Sequence, residues 1–135
     1  MNSTPTKPAT VIELIETGAR QFEAAGLVYG HGTGNAFDEA AWLVLWQLGL
    51  PLDDLDAVAD RPVDPQEQAK VAALLQERIT TRKPAAYLTR EAWLQGVPFY
   101  VDERAIVPRS FIAELLANGN IDAWLGLHTQ RVLDL

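Results

Sequence analysis

Residues 35–49 read NAFDEAAWLVLWQLG, and this stretch decides the fold. Asn35 stands where a side-chain oxygen can take a free backbone N–H, and Asp38 lies near the positive end of a helix. Gly49 closes the segment and Pro51 prevents its continuation. Between these signals Phe37, Ala41, Val44, Leu45 and Leu48 recur at helical spacing and form one apolar face. Trp42 and Trp46 form a second face. A helix apolar on two sides needs cover on both, which places it at the centre of a bundle.

Working outward toward the N-terminus, Thr10 and Glu13 read as a capping box. Ile12, Ile15, Ala19 and Phe22 continue from it as a single apolar stripe, and Gly26 ends that helix. In the other direction, residues 53–64 form an acidic, proline-containing connection with one short turn around Leu55. Asp64-Pro65-Gln66-Glu67 then opens a third helix: an N-cap, a proline at the first helical position and an acid at the third. Its predicted buried stripe is Val71, Ala72, Leu75 and Ile79, with fraying near Thr81, before Pro84.

From residue 85 the period changes. Residues 85–94 and 98–101 are rich in aromatic and β-branched side chains and flank Gln95-Gly96, which predicts a hairpin. A two-stranded ribbon is marginal alone and must lean on another body. Ser110 caps a further helix carrying Phe111, Ile112, Leu115 and Leu116, ended by Asn118-Gly119, with a short helical turn expected at 121–125. Residues 131–135, ending Val132-Leu133-Asp134-Leu135, read as the opening of a buried strand whose continuation is missing.

Composition bounds the function classes. A chain of 135 residues is the size of one ordinary domain, and 48% hydrophobic with 21% charged residues is a folded profile. The absence of cysteine excludes disulfides, thiolate metal sites and a cysteine nucleophile, and fits a reducing compartment. His31 and His128 are far apart, which argues against a histidine-rich metal site. No apolar run approaches the roughly 20 residues of a membrane span, and residues 1–10 lack the apolar core of a signal peptide. A cytoplasmic protein without a membrane partner is the expectation.

The net charge of −7 argues against a general nucleic-acid binder. The charge is uneven: residues 1–77 hold four basic and twelve acidic side chains, whereas 78–135 hold seven and six. Arg78, Arg82, Lys83 and Arg90 follow one another without an intervening acid. They read either as a solvated helix end that complements the dipole or as a docking surface for an anionic partner such as ribosomal RNA.

No catalytic constellation stands out. Asp53, Asp54, Asp56 and Asp60 sit in a connection and read as a solvated loop, and Ser110 has no neighbouring histidine and reads as a cap. Two segments are distinctive. Tyr29-Gly30-His31-Gly32-Thr33-Gly34-Asn35 can bend sharply into a helix N-terminus and could hold an anion there, although it lacks the lysine and the preceding strand of a phosphate loop. A plain helix–helix turn with His31 exposed is the alternative. In Val107-Pro108-Arg109-Ser110 the proline forces Val107 to be extended, and Arg109 stands at a helix start, where the dipole disfavours a cation. Arg109 either answers to a partner or is an ordinary surface arginine in a linker.

At these two segments the chain resembles the protein-glutamine methyltransferase family, in the branch acting on ribosomal protein L-three, whose sister branch acts on release factors. The resemblance is carried by Tyr29-Gly30-His31-Gly32-Thr33, Asp38-Glu39-Ala40, Pro84-Ala85-Ala86-Tyr87-Leu88-Thr89 and Ala92-Trp93. It continues through residues 99–104 to Val107-Pro108-Arg109-Ser110. Ser110-Phe111-Ile112 after the arginine, where the release-factor branch has a proline and an acidic run, selects the ribosomal branch, as does the glycine-histidine-glycine loop.

The resemblance implies a mainly α chain. Residues 1–84 would be a helical substrate-recognition domain, 85–109 a β-hairpin connector, and 110–135 the start of a truncated Rossmann-like methyltransferase domain. The parent enzyme would use S-adenosylmethionine to methylate a glutamine side-chain amide of the large-subunit ribosomal protein L-three, with weak ribosomal RNA contact as a further possibility. The cofactor loop and the Asn-Pro-Pro-Tyr motif that accepts hydrogen bonds from the reacting amide are not in this sequence. The segment is therefore expected to be inactive alone, to hold no cofactor or metal, and to contain no catalytic residue. Val107, Pro108, Arg109 and Ser110 are carried over as pocket-edge residues, and Tyr29, His31, Arg78, Arg82 and Lys83 are the substrate-recognition candidates. A stand-alone, non-catalytic helical interaction module is the competing reading.

Overall fold

The computed structural model describes residues 7–30, 32–131 and 133. The first helix, α1, runs Val11–Ala24 behind the predicted capping box, with Thr10 N–H donating to Glu13 Oε2 at 2.9 Å. Helix α2 is Ala36–Leu48, capped by Asn35, whose side-chain oxygen accepts from Asp38 N–H at 2.8 Å. Gly49 ends it at φ 65°. A short α3, Leu55–Val58, follows, and then α4, Pro65–Thr81, behind the capping box of Asp64 and Glu67.

Helix α2 is central, packing on α1, α4 and the short α5, Ala85–Thr89. Its buried residues are Ala36, Glu39, Ala40, Leu43, Val44 and Leu45, a set the expected face captured only in part. Phe37, assigned to that face, remains 39% exposed. The core joins Val11, Ile15 and Phe22 of α1, these residues of α2, and Val71, Leu74 and Leu75 of α4. Fully burying each large aliphatic or aromatic side chain contributes about 1.5–3 kcal/mol. On α4, Ala72 faces solvent and Leu74 and Arg78 are buried instead, because α4 presents to α2 a face rotated from the simple apolar stripe.

The connection after α2 is pinned. Val11 and Ile12 N–H donate to the carbonyls of Arg61 and Ala59, and Val63 N–H donates to Ala9. Thr10 and Pro62 form an antiparallel bridge. An acidic loop is thereby sewn to the residues that precede α1.

Residues 85–89, expected within the ribbon, are helical. Pro84 stands at φ −51° and ψ 148° as the N-cap and its carbonyl accepts from Tyr87 N–H, while Thr89 donates back to Ala85 O at 3.1 Å. Arg90, at φ 57°, turns the chain out into the hairpin. Strands β1, Glu91–Leu94, and β2, Val97–Tyr100, pair antiparallel with Leu94 opposite Val97. Gln95 and Gly96 both have positive φ, as a tight two-residue hairpin requires. A small second cluster of Ala86, Ala92, Val101 and Val107 lies under the ribbon, and Trp42 packs against both clusters, joining ribbon to bundle.

Helix α6, Phe111–Ala117, is capped by Ser110, and a 3-10 turn spans Asp122–Trp124. Phe111, Ile112, Leu115 and Leu116 are all exposed. Of the expected terminal strand, Val132, Asp134 and Leu135 lie outside the described residues.

Candidate functional site: a cleft between the bundle and the hairpin

The two distinctive sequence segments meet. Gly32 from the loop before α2 and Pro108 from the segment before α6 share the wall of a cleft of about 400 Å³. Helix α2 contributes Phe37, Ala41 and Trp42, the connection contributes Leu52 and Leu55, and the hairpin contributes Ala92 and Trp93. The one charged wall residue is Asp38, already engaged with Asn35 at the helix cap. A second hollow continues past Gly32 and Pro108 to Arg109, Ser110, Phe111 and Glu114. The cleft therefore leads from the helical body to the start of α6.

Among the pocket-edge candidates, Val107 is buried in the small cluster and Pro108 is half-buried. Arg109 and Ser110 are exposed, and the Ser110 hydroxyl accepts from Ala113 N–H at 3.2 Å. This segment offers apolar contact and one cation.

The substrate-recognition candidates separate. Arg78 is not a surface cation: it is 2% exposed, and Nη2 lies 3.0 Å from Glu39 Oε2. Its Nε also donates to Glu39, and Nη2 donates to Val28 O. Glu39 Oε1 in turn accepts from Ala85 N–H at 3.3 Å. This buried pair ties α2, α4, the loop after α1 and the start of α5. A buried guanidinium requires a charged partner, and Glu39 supplies it.

Arg82 remains exposed and donates to Gly26 O at 3.1 Å. Lys83 pairs with Glu103, and Arg90 donates to the Tyr100 hydroxyl. The basic stretch is thus divided among separate local roles. Tyr29 is half-buried on the core, and its hydroxyl is buried with no partner among the described residues. Burial, and then the Glu39 carboxylate, raise the pKa of that phenol, partly offset by Arg78. His31 lies outside the described residues.

Beside the hairpin, Asp102 and Arg104 form a forked ion pair, with Arg104 Nη2 2.6 Å from Oδ2 and Nε 3.0 Å from Oδ1. Hydrogen bonds from Arg104 lower the Asp102 pKa to about 2. Among the described residues no cluster of potential metal ligands is present, and no helix is long and apolar enough to cross a membrane.

Sequence reasoning missed Leu52, and it named Leu55, Trp93 and Phe37, Ala41, Trp42 and Leu45 of α2 without placing them at a site. One signal did point there. Helix α2 is apolar on two sides, and Phe37, Ala41 and Leu45 of one and Trp42 of the other all line the cleft.

Residues 13–89 match the PrmC N-terminal domain family, which is more than half of the chain. The chain belongs to that family. Within the PrmC N-terminal domain segment lie the loop at Gly32, all of α2 and the α5 turn, so the matched region supplies most of the cleft. The chain is 53% identical, over 88% of its length, to a ribosomal protein uL3 glutamine methyltransferase of Burkholderia pseudomallei. It is 48% identical over 93% of its length to that of Bordetella pertussis, and 47% over 82% to that of Neisseria meningitidis serogroup B. The chain spans 39%, 43% and 36% of those three relatives, well under half of each.

Proposed function

We propose that this chain is the substrate-recognition part of an S-adenosylmethionine-dependent methyltransferase that methylates a glutamine side-chain amide of ribosomal protein uL3. The observation that carries the reading is the high identity to proteins named uL3 glutamine methyltransferases, joined to membership of the PrmC N-terminal domain family.

The division of labour follows from the chemistry. An amide nitrogen is a weak nucleophile because its lone pair is delocalised into the carbonyl, so transfer demands close alignment of the amide with the methyl donor. A rigid helical body that holds the protein substrate supplies part of that alignment. Residues 1–84 take that role, residues 85–109 connect, and residues 110–135 begin the catalytic half. The exposed apolar side chains of α6 support this: Phe111, Ile112, Leu115 and Leu116 form a face suited to burial against a further body. Val107, Pro108, Arg109 and Ser110 then stand at the junction of the two halves.

The test is methyl transfer by the longer product that carries this N-terminal sequence. Incubated with uL3 and methyl-labelled S-adenosylmethionine, it should place one methyl group on a uL3 glutamine, located by peptide mass spectrometry. Label on a release factor and none on uL3 would refute the assignment.

A further inference from the structure

The cleft has a chemistry more specific than general substrate recognition. Phe37, Leu52 and Trp93 line it and remain 39%, 39% and 53% exposed. Its volume of about 400 Å³ accommodates a large side chain. Small-molecule sites of this size combine apolar walls with several convergent polar groups. Here Asp38 is the single charged wall residue, and its carboxylate is held by the Asn35 side chain. An apolar side chain from a polypeptide suits such walls better than a polar metabolite.

Charge indicates what kind of polypeptide. Asp53 and Asp54 lie between the wall residues Leu52 and Leu55, Asp56 follows, and all three are exposed. With Asp38 on the wall, these three acids, next in sequence to wall residues, make four carboxylates, within a half of the chain that is strongly acidic. A field of this sign repels a phosphate backbone and attracts lysine and arginine. The hollow that continues past Pro108 ends at Arg109 and Glu114, so an extended segment lying over Gly32 and Pro108 would point toward α6.

We propose that this acid-rimmed cleft docks an apolar side chain flanked by lysine or arginine in a segment of the protein substrate. The inference rests on uL3 being that substrate, and it adds the place and the chemistry of docking. Leu52 and Trp93 hold the apolar anchor, while Asp53, Asp54 and Asp56 engage the flanking cations.

The test is calorimetric titration of the 135-residue chain with purified uL3 at low and high salt. The two variants are Leu52→Arg and Asp53→Lys/Asp54→Lys, all at exposed positions. Unchanged far-UV circular dichroism is required of each. Placing a cation in the apolar anchor site should weaken binding about 30-fold, the size of a hot-spot loss. The double charge reversal should weaken it by about tenfold or more at low salt and much less at high salt. Equal affinity for the wild type and both variants would overturn the inference, as would a loss seen only in an Arg82→Glu/Lys83→Glu control. Binding of ribosomal RNA but not uL3 would also overturn it. None of these results touches methylation by the longer protein, so docking and activity fail separately.

Discussion

Replacing Arg78 with leucine removes a side chain that is 2% exposed and leaves Glu39, 3% exposed at its side chain, as a buried charge without its partner. The Val28 carbonyl loses its donor as well. Removing one member of a buried pair costs about 3–5 kcal/mol, against a total stability of about 5–15 kcal/mol for a domain. The double variant Glu39→Leu/Arg78→Leu removes both charges. Its remaining cost is chiefly the orphaned buried Ala85 N–H, about 1–3 kcal/mol, since Val28 is exposed and its carbonyl can meet water, offset by the gain of apolar packing where an ion pair stood. The double variant should therefore be no less stable than Arg78→Leu alone, with a coupling energy of at least about 1 kcal/mol. Urea unfolding followed by tryptophan fluorescence reads this directly, because Trp42 and Trp46 pack on the core. With a urea slope of about 1–3 kcal/mol per M, the midpoint of Arg78→Leu should fall by more than about 1 M. Arg82→Ala, four residues on and exposed, should change stability by no more than about 0.5 kcal/mol. If Arg78→Leu costs as little as Arg82→Ala, or if the two single losses simply add in the double variant, the role assigned to the pair is wrong.

Three further outcomes follow from local geometry. Gly18 lies where α1 crosses its neighbours, and an added Cβ would meet Leu75 Cδ1 at 3.0 Å and Ala40 Cβ at 3.3 Å. Gly18→Ala should be destabilising by about 1 kcal/mol despite its better helix propensity, because overpacking outweighs that gain; thermal melting measures it. Gln95→Asn should stabilise the hairpin by a few tenths of a kcal/mol in the same assay, since asparagine tolerates the left-handed conformation at φ 50° better than glutamine. Asp102 should titrate near pH 2 by carboxyl carbon NMR, and Arg104→Ala should raise it only part of the way toward 3.8, because the backbone N–H of residue 104 still donates to the carboxylate. Because its folded pKa is depressed, the Asp102 contribution to stability is present above the unfolded value of 3.8 and is lost as pH falls toward 2.

Much of the fold is legible in residue order. Thr10, Asn35, Asp64 and Ser110 each cap the helix that the sequence assigns to them, because a capping side chain acts within three residues of itself. Gln95-Gly96 likewise sets the hairpin turn locally. The α5 turn is not legible in residue order, because a five-residue helix after Pro84 is too short a run for periodicity to register. The candidate site was legible only in outline: its loop, Ala92-Trp93 and its Pro108 segment stood out, but Leu52 did not.

The sequence by itself determined where helices begin and end and that α2 lies at the centre, since capping, turn chemistry and amphipathic spacing act over a few residues. Only the tertiary structure decided the fate of the charges and the place of the cleft. Whether Arg78 meets solvent or a carboxylate depends on a residue 39 positions away. Whether Gly32 faces Pro108 depends on how the hairpin packs over Trp42. Those are facts of long-range packing, in which burial forces each charge to find a partner and each apolar wall to find its opposite.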